Sequence, residues 1–173
     1  TPEGSAGLHT QGMTKVNSKH HILVTGGFGY VGSRLTPHLL GLGHRVRVLD
    51  CLLYSSAGLD ALQGDSQWAQ WKERFELIEG DIRDPGVLDR ALDNIDTVIH
   101  LAAISNDPTG EIDEILTRQV NFDAIGVMLS LAKAKGVSRF INASSSSVFG
   151  IKAGGPQRGE RVAKYNRLAQ LLS

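Results

Sequence analysis

The glycine spacing of one short segment restricts this chain more than any other feature. Thr25-Gly26-Gly27-Phe28-Gly29-Tyr30-Val31-Gly32 follows the β-rich run HILVT at 21–25 and leads into a helical pattern opening with Ser33, Arg34 and Leu35. Glycine at 26 permits a tight turn, glycine at 29 lets a ligand approach the backbone, and glycine at 32 lets a helix pack close to its strand. Unpaired N–H groups at the start of that helix, together with its dipole, favour negative charge above the turn. In isolation the spacing also fits an ordinary strand–turn–helix corner. Its place between a strand and a helix makes it a pyrophosphate cradle, to which Phe28, Tyr30 and Val31 contribute backbone as the residues between the glycines.

Further β-rich runs recur as RVRVLD at 45–50, RFELIEGD at 74–81, TVIHLAA at 97–103 and RFINASS at 139–145. Helical patterns separate them around 30–42, 58–72, 85–93 and 111–135, with another around 160–172. Such alternation predicts the α/β class: a doubly wound parallel sheet, the Rossmann fold, with right-handed crossovers. Ile115, Val120, Ile125, Leu129 and Ala132 form an apolar stripe along 111–135, and Gly136 is placed to end that helix. Pro37 falls within the first helical pattern, where a mid-helix proline costs about 3 kcal/mol, so a kink or a late helix start is expected. Residues 1–19 read as a flexible N-terminal segment or tag remnant, with Met13 a possible natural start. Residues 20–173 read as one dinucleotide-binding domain. The segment 153–159 is a loop by composition.

The second strand ends in Leu49-Asp50, eighteen positions after Gly32, where the dinucleotide fingerprint places an acidic residue on the adenosine ribose hydroxyls. A carboxylate there repels a 2′-phosphate, so Asp50 favours NAD. Arg34 keeps NADP open as the alternative, and a strand-end cap is the purely structural reading of Asp50. The formal net charge of zero gives no electrostatic reason to expect nucleic acid or an anionic membrane as a partner. No apolar run is long enough to span a bilayer, and the single cysteine, Cys51, has no internal partner; a soluble, reducing, cytoplasmic setting is expected. His20 and His21 would point to opposite faces of a strand and make a poor metal site, so no metal is expected.

The matching segments TGGFGYVGS at 25–33, LD at 49–50, GDIRD at 80–84, HLAA at 100–103, VNFDAIG at 120–126 and SSSSVFG at 144–150 together resemble the extended short-chain dehydrogenase/reductase family. Within it, the resemblance is to the NAD-dependent nucleotide-sugar epimerases and dehydratases. It implies that Asp81 and Ile82 flank the adenine, the Asp81 side chain accepting from the exocyclic amine and the following backbone assisting. By the same resemblance, Leu101, Ala102 and Ala103 form a wall against the phosphates and nicotinamide ribose. Asn121 takes the place of the family's helix asparagine, Ser144 lies beside the nicotinamide, and Ser145 takes the catalytic Ser/Thr position. NAD is the implied cofactor and a nucleotide sugar the implied substrate.

The chain departs from the family where catalysis requires a Tyr-x-x-x-Lys helix. The chemistry needs a cation near the phenol, because a tyrosine hydroxyl of pKa about 10 is a poor base at neutral pH without one. In Arg161-Val162-Ala163-Lys164-Tyr165-Asn166, Val162 stands for the tyrosine and Asn166 for the lysine. Tyr165 is the base in an alternative register, with Ala169 four residues on in place of the lysine. Ser146 and Ser147 replace the Asp and Glu of 4,6-dehydratases, which argues against dehydratase chemistry. The chain ends at Ser173, where family members continue into a substrate domain; that domain is expected to be absent and the chain truncated, spliced or degenerate. Two readings follow: part of an NAD-dependent epimerase, or a catalytically inactive NAD-binding module. An uncovered face makes a homo-oligomer plausible.

Overall fold

The computed structural model describes residues 19–53, 55–104 and 113–144. Its elements run β1 (His21–Thr25), α1 (Gly32–Gly41), β2 (Arg45–Asp50), α2 (Ala57–Gln63), α3 (Trp68–Trp71), β3 (Phe75–Glu79), α4 (Pro85–Ala91) and β4 (Thr97–His100). There follow α5 (Glu114–Arg118), a π-helical segment (Gln119–Asp123), α6 (Ala124–Ala134) and β5 (Arg139–Asn142). A single 3-10 turn, Lys72–Arg74, links α3 to β3.

All strand pairings are parallel and the order is β3-β2-β1-β4-β5. The chain therefore builds outward from β1 in one direction, then crosses over and builds outward in the other. The reversal between β1 and β4 opens a crevice at the carboxyl ends of the strands, where such sheets bind ligands. The strands carry apolar residues on both faces because helices cover both. Leu23, Leu49 and Val98 pack with Leu88, Leu92 and Met128 on one side. Ile22, Val24, Val46 and Val48 pack with Leu40, Leu62 and Trp71 on the other.

Local chemistry sets several boundaries. The Asp84 side chain caps α4 by accepting from the N–H groups of Gly86 and Val87, with Pro85 at the first helical position. Arg47, buried in β2, donates to the Ala91 and Asp93 carbonyls at the other end of that helix (2.9 and 2.8 Å) and to Glu76 on β3 (2.7 Å). The chain leaves α6 through Gly136 at φ +75°, a conformation that favours glycine.

Two expectations are revised. Pro37 lies inside α1, which starts at Gly32 rather than late. The 111–135 stripe is broken by the π segment, whose extra residue shifts the helical face. Ile125, Leu129 and Ala132 are buried, but Ile115 is 73% exposed, and Leu116 and Thr117 are half-buried instead. No helix among the described residues is long and apolar enough to cross a membrane. The helical pattern at 160–172 lies outside the described residues.

Candidate functional site

The glycine turn sits at the crevice. Gly26 has φ +68°, and its N–H donates to the Leu49 carbonyl on β2 (2.8 Å). A Cβ on Gly26 would lie 2.7 Å from the Ala102 nitrogen, and one on Gly32 would lie 2.4 Å from the Gly26 carbonyl oxygen. Both glycines are thus demanded by the chain's own packing. Gly29 is different: among the described residues its Cβ would meet only the Gly26 oxygen, at 3.4 Å, and its φ is not positive. Internal packing among the described residues does not account for that glycine. Ser33 and Leu35 donate back to Gly29 and Val31, while Tyr30 and Val31 have no carbonyl acceptor for their N–H groups among the described residues. Both residues are exposed, α1 has no side-chain cap, and its first turn contains no acidic residue. The result, among the described residues, is an open helix end whose N–H groups and dipole favour negative charge.

Asp50 terminates β2 beside this turn. Its carboxylate accepts from the Phe28 N–H and the Leu52 N–H, both at 2.9 Å, so it caps the strand end and ties it to the glycine turn. Each oxygen retains a lone pair for a hydroxyl donor. On the other side of the turn, Leu101 donates from its N–H to the Thr25 carbonyl (3.0 Å), which fixes the start of the Leu101–Ala103 wall against β1.

The remaining site residues differ in what they offer. Ile82 is buried in the core, so a ligand at this edge meets its backbone rather than its side chain. The Asp81 carboxylate is gripped by Arg83, at 2.5 Å in the closest contact, and this hydrogen bonding holds its pKa below the usual carboxylate value. Arg83 also donates to Gln119 (3.0 Å). Asp81, Arg83, Gln119 and Val127 border an open depression of about 470 Å³. Asn121 accepts from the Ile104 N–H (2.8 Å) and donates to the Ile104 carbonyl (2.7 Å), so its amide fastens the segment leaving β4. Ser144 is exposed just beyond β5. Ser145 and Tyr165 lie outside the described residues.

Sequence reasoning passed over His100, although it opens the HLAA segment. It is buried at the end of β4, and its Nδ1 lies 2.6 Å from the Thr25 hydroxyl. Burial lowers its pKa to about 4. Its position directly before the wall was the available signal.

A strand-reversal crevice, an uncapped helix behind three spaced glycines and a strand-end carboxylate define a dinucleotide-binding Rossmann domain. Over residues 22–169 the chain matches the NAD dependent epimerase/dehydratase family, and it belongs to that family. It is 34% identical over 148 residues to UDP-glucuronic acid decarboxylase 1 of Xenopus tropicalis, covering 86% of this chain and 32% of that protein. To UDP-glucose 4-epimerase of Haemophilus influenzae it is 35% identical over 133 residues, covering 75% and 38% respectively. DesIV, a dTDP-glucose 4,6-dehydratase from Streptomyces venezuelae solved with NAD bound, superimposes with TM-score 0.67 at 31% identity, covering 78% of this chain and 42% of that one. WbmG of Bordetella bronchiseptica, solved with NAD and UDP, gives TM-score 0.66 at 28% identity, covering 82% and 43%. The chain thus spans about a third of the length of the curated relatives it matches.

Proposed function

We propose that this chain binds NAD and forms the cofactor-holding part of a nucleotide-sugar epimerase-like enzyme. The single observation that carries the reading is Asp50, fixed by the Phe28 N–H beside the open helix end, so that a ribose-seeking carboxylate and a phosphate-seeking backbone share one crevice. Bound there, NAD supplies a reversible hydride acceptor. The residues of the chain hold it: Tyr30 and Val31 offer N–H groups to the pyrophosphate, Asp50 accepts from the ribose hydroxyls, and the Leu101–Ala103 wall limits the opposite side. Ser145 is proposed to hydrogen-bond the reacting sugar hydroxyl, and Tyr165 to exchange its proton. The replacement of the family's Tyr-Lys pair by Val162 and Asn166 favours a second reading, an NAD-binding module without efficient turnover. A free, exposed Cys51 accords with a reducing cytoplasmic setting. The exposed Ile115 and Phe122 on the π-interrupted helix support self-association.

Parallel calorimetric titrations with NAD and NADP test the cofactor assignment. NAD is expected to bind at least about tenfold more tightly than NADP, and Asp50→Ala to weaken NAD by roughly tenfold or more through loss of charge-assisted hydrogen bonds. Ser145→Ala should leave NAD affinity nearly unchanged. Equal losses in the two variants would misplace the ribose site, and absence of NAD binding would remove the proposal. A search for hydride transfer with UDP-sugars then separates the enzyme from the inactive module.

A further inference from the structure

The first glycine of the turn rests on the wall without any side chain between them, so their separation must be set by neighbouring groups. Thr25 does this from β1. Its carbonyl accepts from Leu101 (3.0 Å), and its buried hydroxyl oxygen accepts from the Ala102 N–H at 3.4 Å. An amide N–H can only donate, so the one proton of the Thr25 hydroxyl is left for the remaining neighbour, His100 Nδ1, at 2.6 Å. That hydrogen bond requires Nδ1 to be unprotonated, which assigns His100 as the neutral Nε2–H tautomer. The imidazole is boxed between Thr25 on β1 and the Phe140 ring on β5, 6.3 Å away between centroids. Among the described residues no charged group contributes to its pKa, which burial alone depresses.

We propose that His100 is a positioning residue of the cofactor site, its Nδ1 taking the Thr25 hydroxyl proton and so locking the glycine turn to the Leu101–Ala103 wall. The inference rests on the NAD reading above. His100 touches no cofactor atom in this scheme. It acts through Thr25, the residue that joins turn and wall by both of its oxygens.

Three single variants and one double variant test it in the full chain, with NAD affinity read by calorimetry and folding by thermal unfolding without ligand. His100→Phe keeps a ring but removes the acceptor, Thr25→Val keeps the shape but removes the hydroxyl, and His100→Asn places an amide oxygen near the position of Nδ1. His100→Phe is expected to weaken NAD by about tenfold, the scale of one buried hydrogen bond, and Thr25→Val, which also removes the acceptor of the Ala102 N–H, by at least as much. His100→Asn should recover most of that loss, and the Thr25→Val/His100→Phe double variant should bind no worse than the weaker single one, since both remove the same bond. Nitrogen-15 NMR of the histidine-labelled chain should show Nε2 protonated and Nδ1 not. If the folded Thr25→Val chain binds NAD as tightly as wild type, or Nδ1 carries the proton, the proposal is overturned, even where His100→Phe fails to fold. If wild type itself does not bind NAD, the cofactor reading falls first and this one with it.

Discussion

Gly32→Ala is expected to abolish measurable NAD binding and to lower the midpoint of thermal unfolding by roughly 3–10 °C, as overpacking does in a domain of this size. The added methyl carbon would lie 2.4 Å from the Gly26 oxygen and 2.6 Å from the backbone of Gly27. These are main-chain atoms with no rotamer into which they could retreat. Relief comes only if α1 moves away from β1, and that movement also withdraws the N–H groups at the helix start from the crevice. Gly29→Ala provides the contrast. Among the described residues its methyl carbon has a single neighbour at 3.4 Å, so the ligand-free protein should melt within about a degree of wild type while NAD binding is lost. Differential scanning calorimetry with and without NAD reads both effects. Wild-type affinity in Gly32→Ala, or in Gly29→Ala, would show that the phosphates do not lie on this turn.

Acidification should destabilise the protein well before its carboxylates titrate. The folded His100 has a pKa of about 4, against an ordinary imidazole value of about 6.5, so between these limits the unfolded chain binds the proton and the folded one does not. Stability therefore falls as pH drops from about 6.5 toward 4, by about 3 kcal/mol from this residue, and is independent of it above that window. His21 and His44 are shifted in the same direction, chiefly by burial, and add to the slope. Asp81, held low by Arg83, instead loses its contribution only as pH falls below the usual carboxylate range. Urea unfolding at a series of pH values measures the slope. His100→Asn should flatten it between pH 6.5 and 4; a variant with the wild-type slope would refute the assignment.

The parts of the molecule legible in the sequence are those whose cause is local. Gly26 takes the positive φ of its own turn, Gly32 is crowded by Gly26 and Gly27 a few residues away, and Asp50 caps the strand it ends, so spacing and context located the turn. The strand runs were found for the same reason, although β4 and β5 stop at His100 and Asn142, short of the apolar runs that suggested them. What escaped depends on partners far away in the chain. His100 reads as one polar letter in an apolar run because Thr25, which gives it a task, is 75 residues distant. Arg47 reads as the outward position of an alternating strand, yet this inner strand is covered on both faces and the guanidinium is consumed by carbonyls of α4. The π segment left no periodic trace, since one inserted residue shifts a stripe without erasing it.

That inserted residue makes the long helix answer to a segment outside it. Deleting Gln119, Val120, Phe122 or Asp123 would look harmless by helix propensity, because it converts a π turn into a regular α one. The flanking halves would keep the faces they now present, but the widened turn that carries Asn121 would be lost. Asn121 would then leave the Ile104 backbone that it clamps with both ends of its amide. Substitutions elsewhere along this helix leave that clamp in place, whereas one deletion in the π turn is felt at the end of β4 rather than in the helix that suffers it.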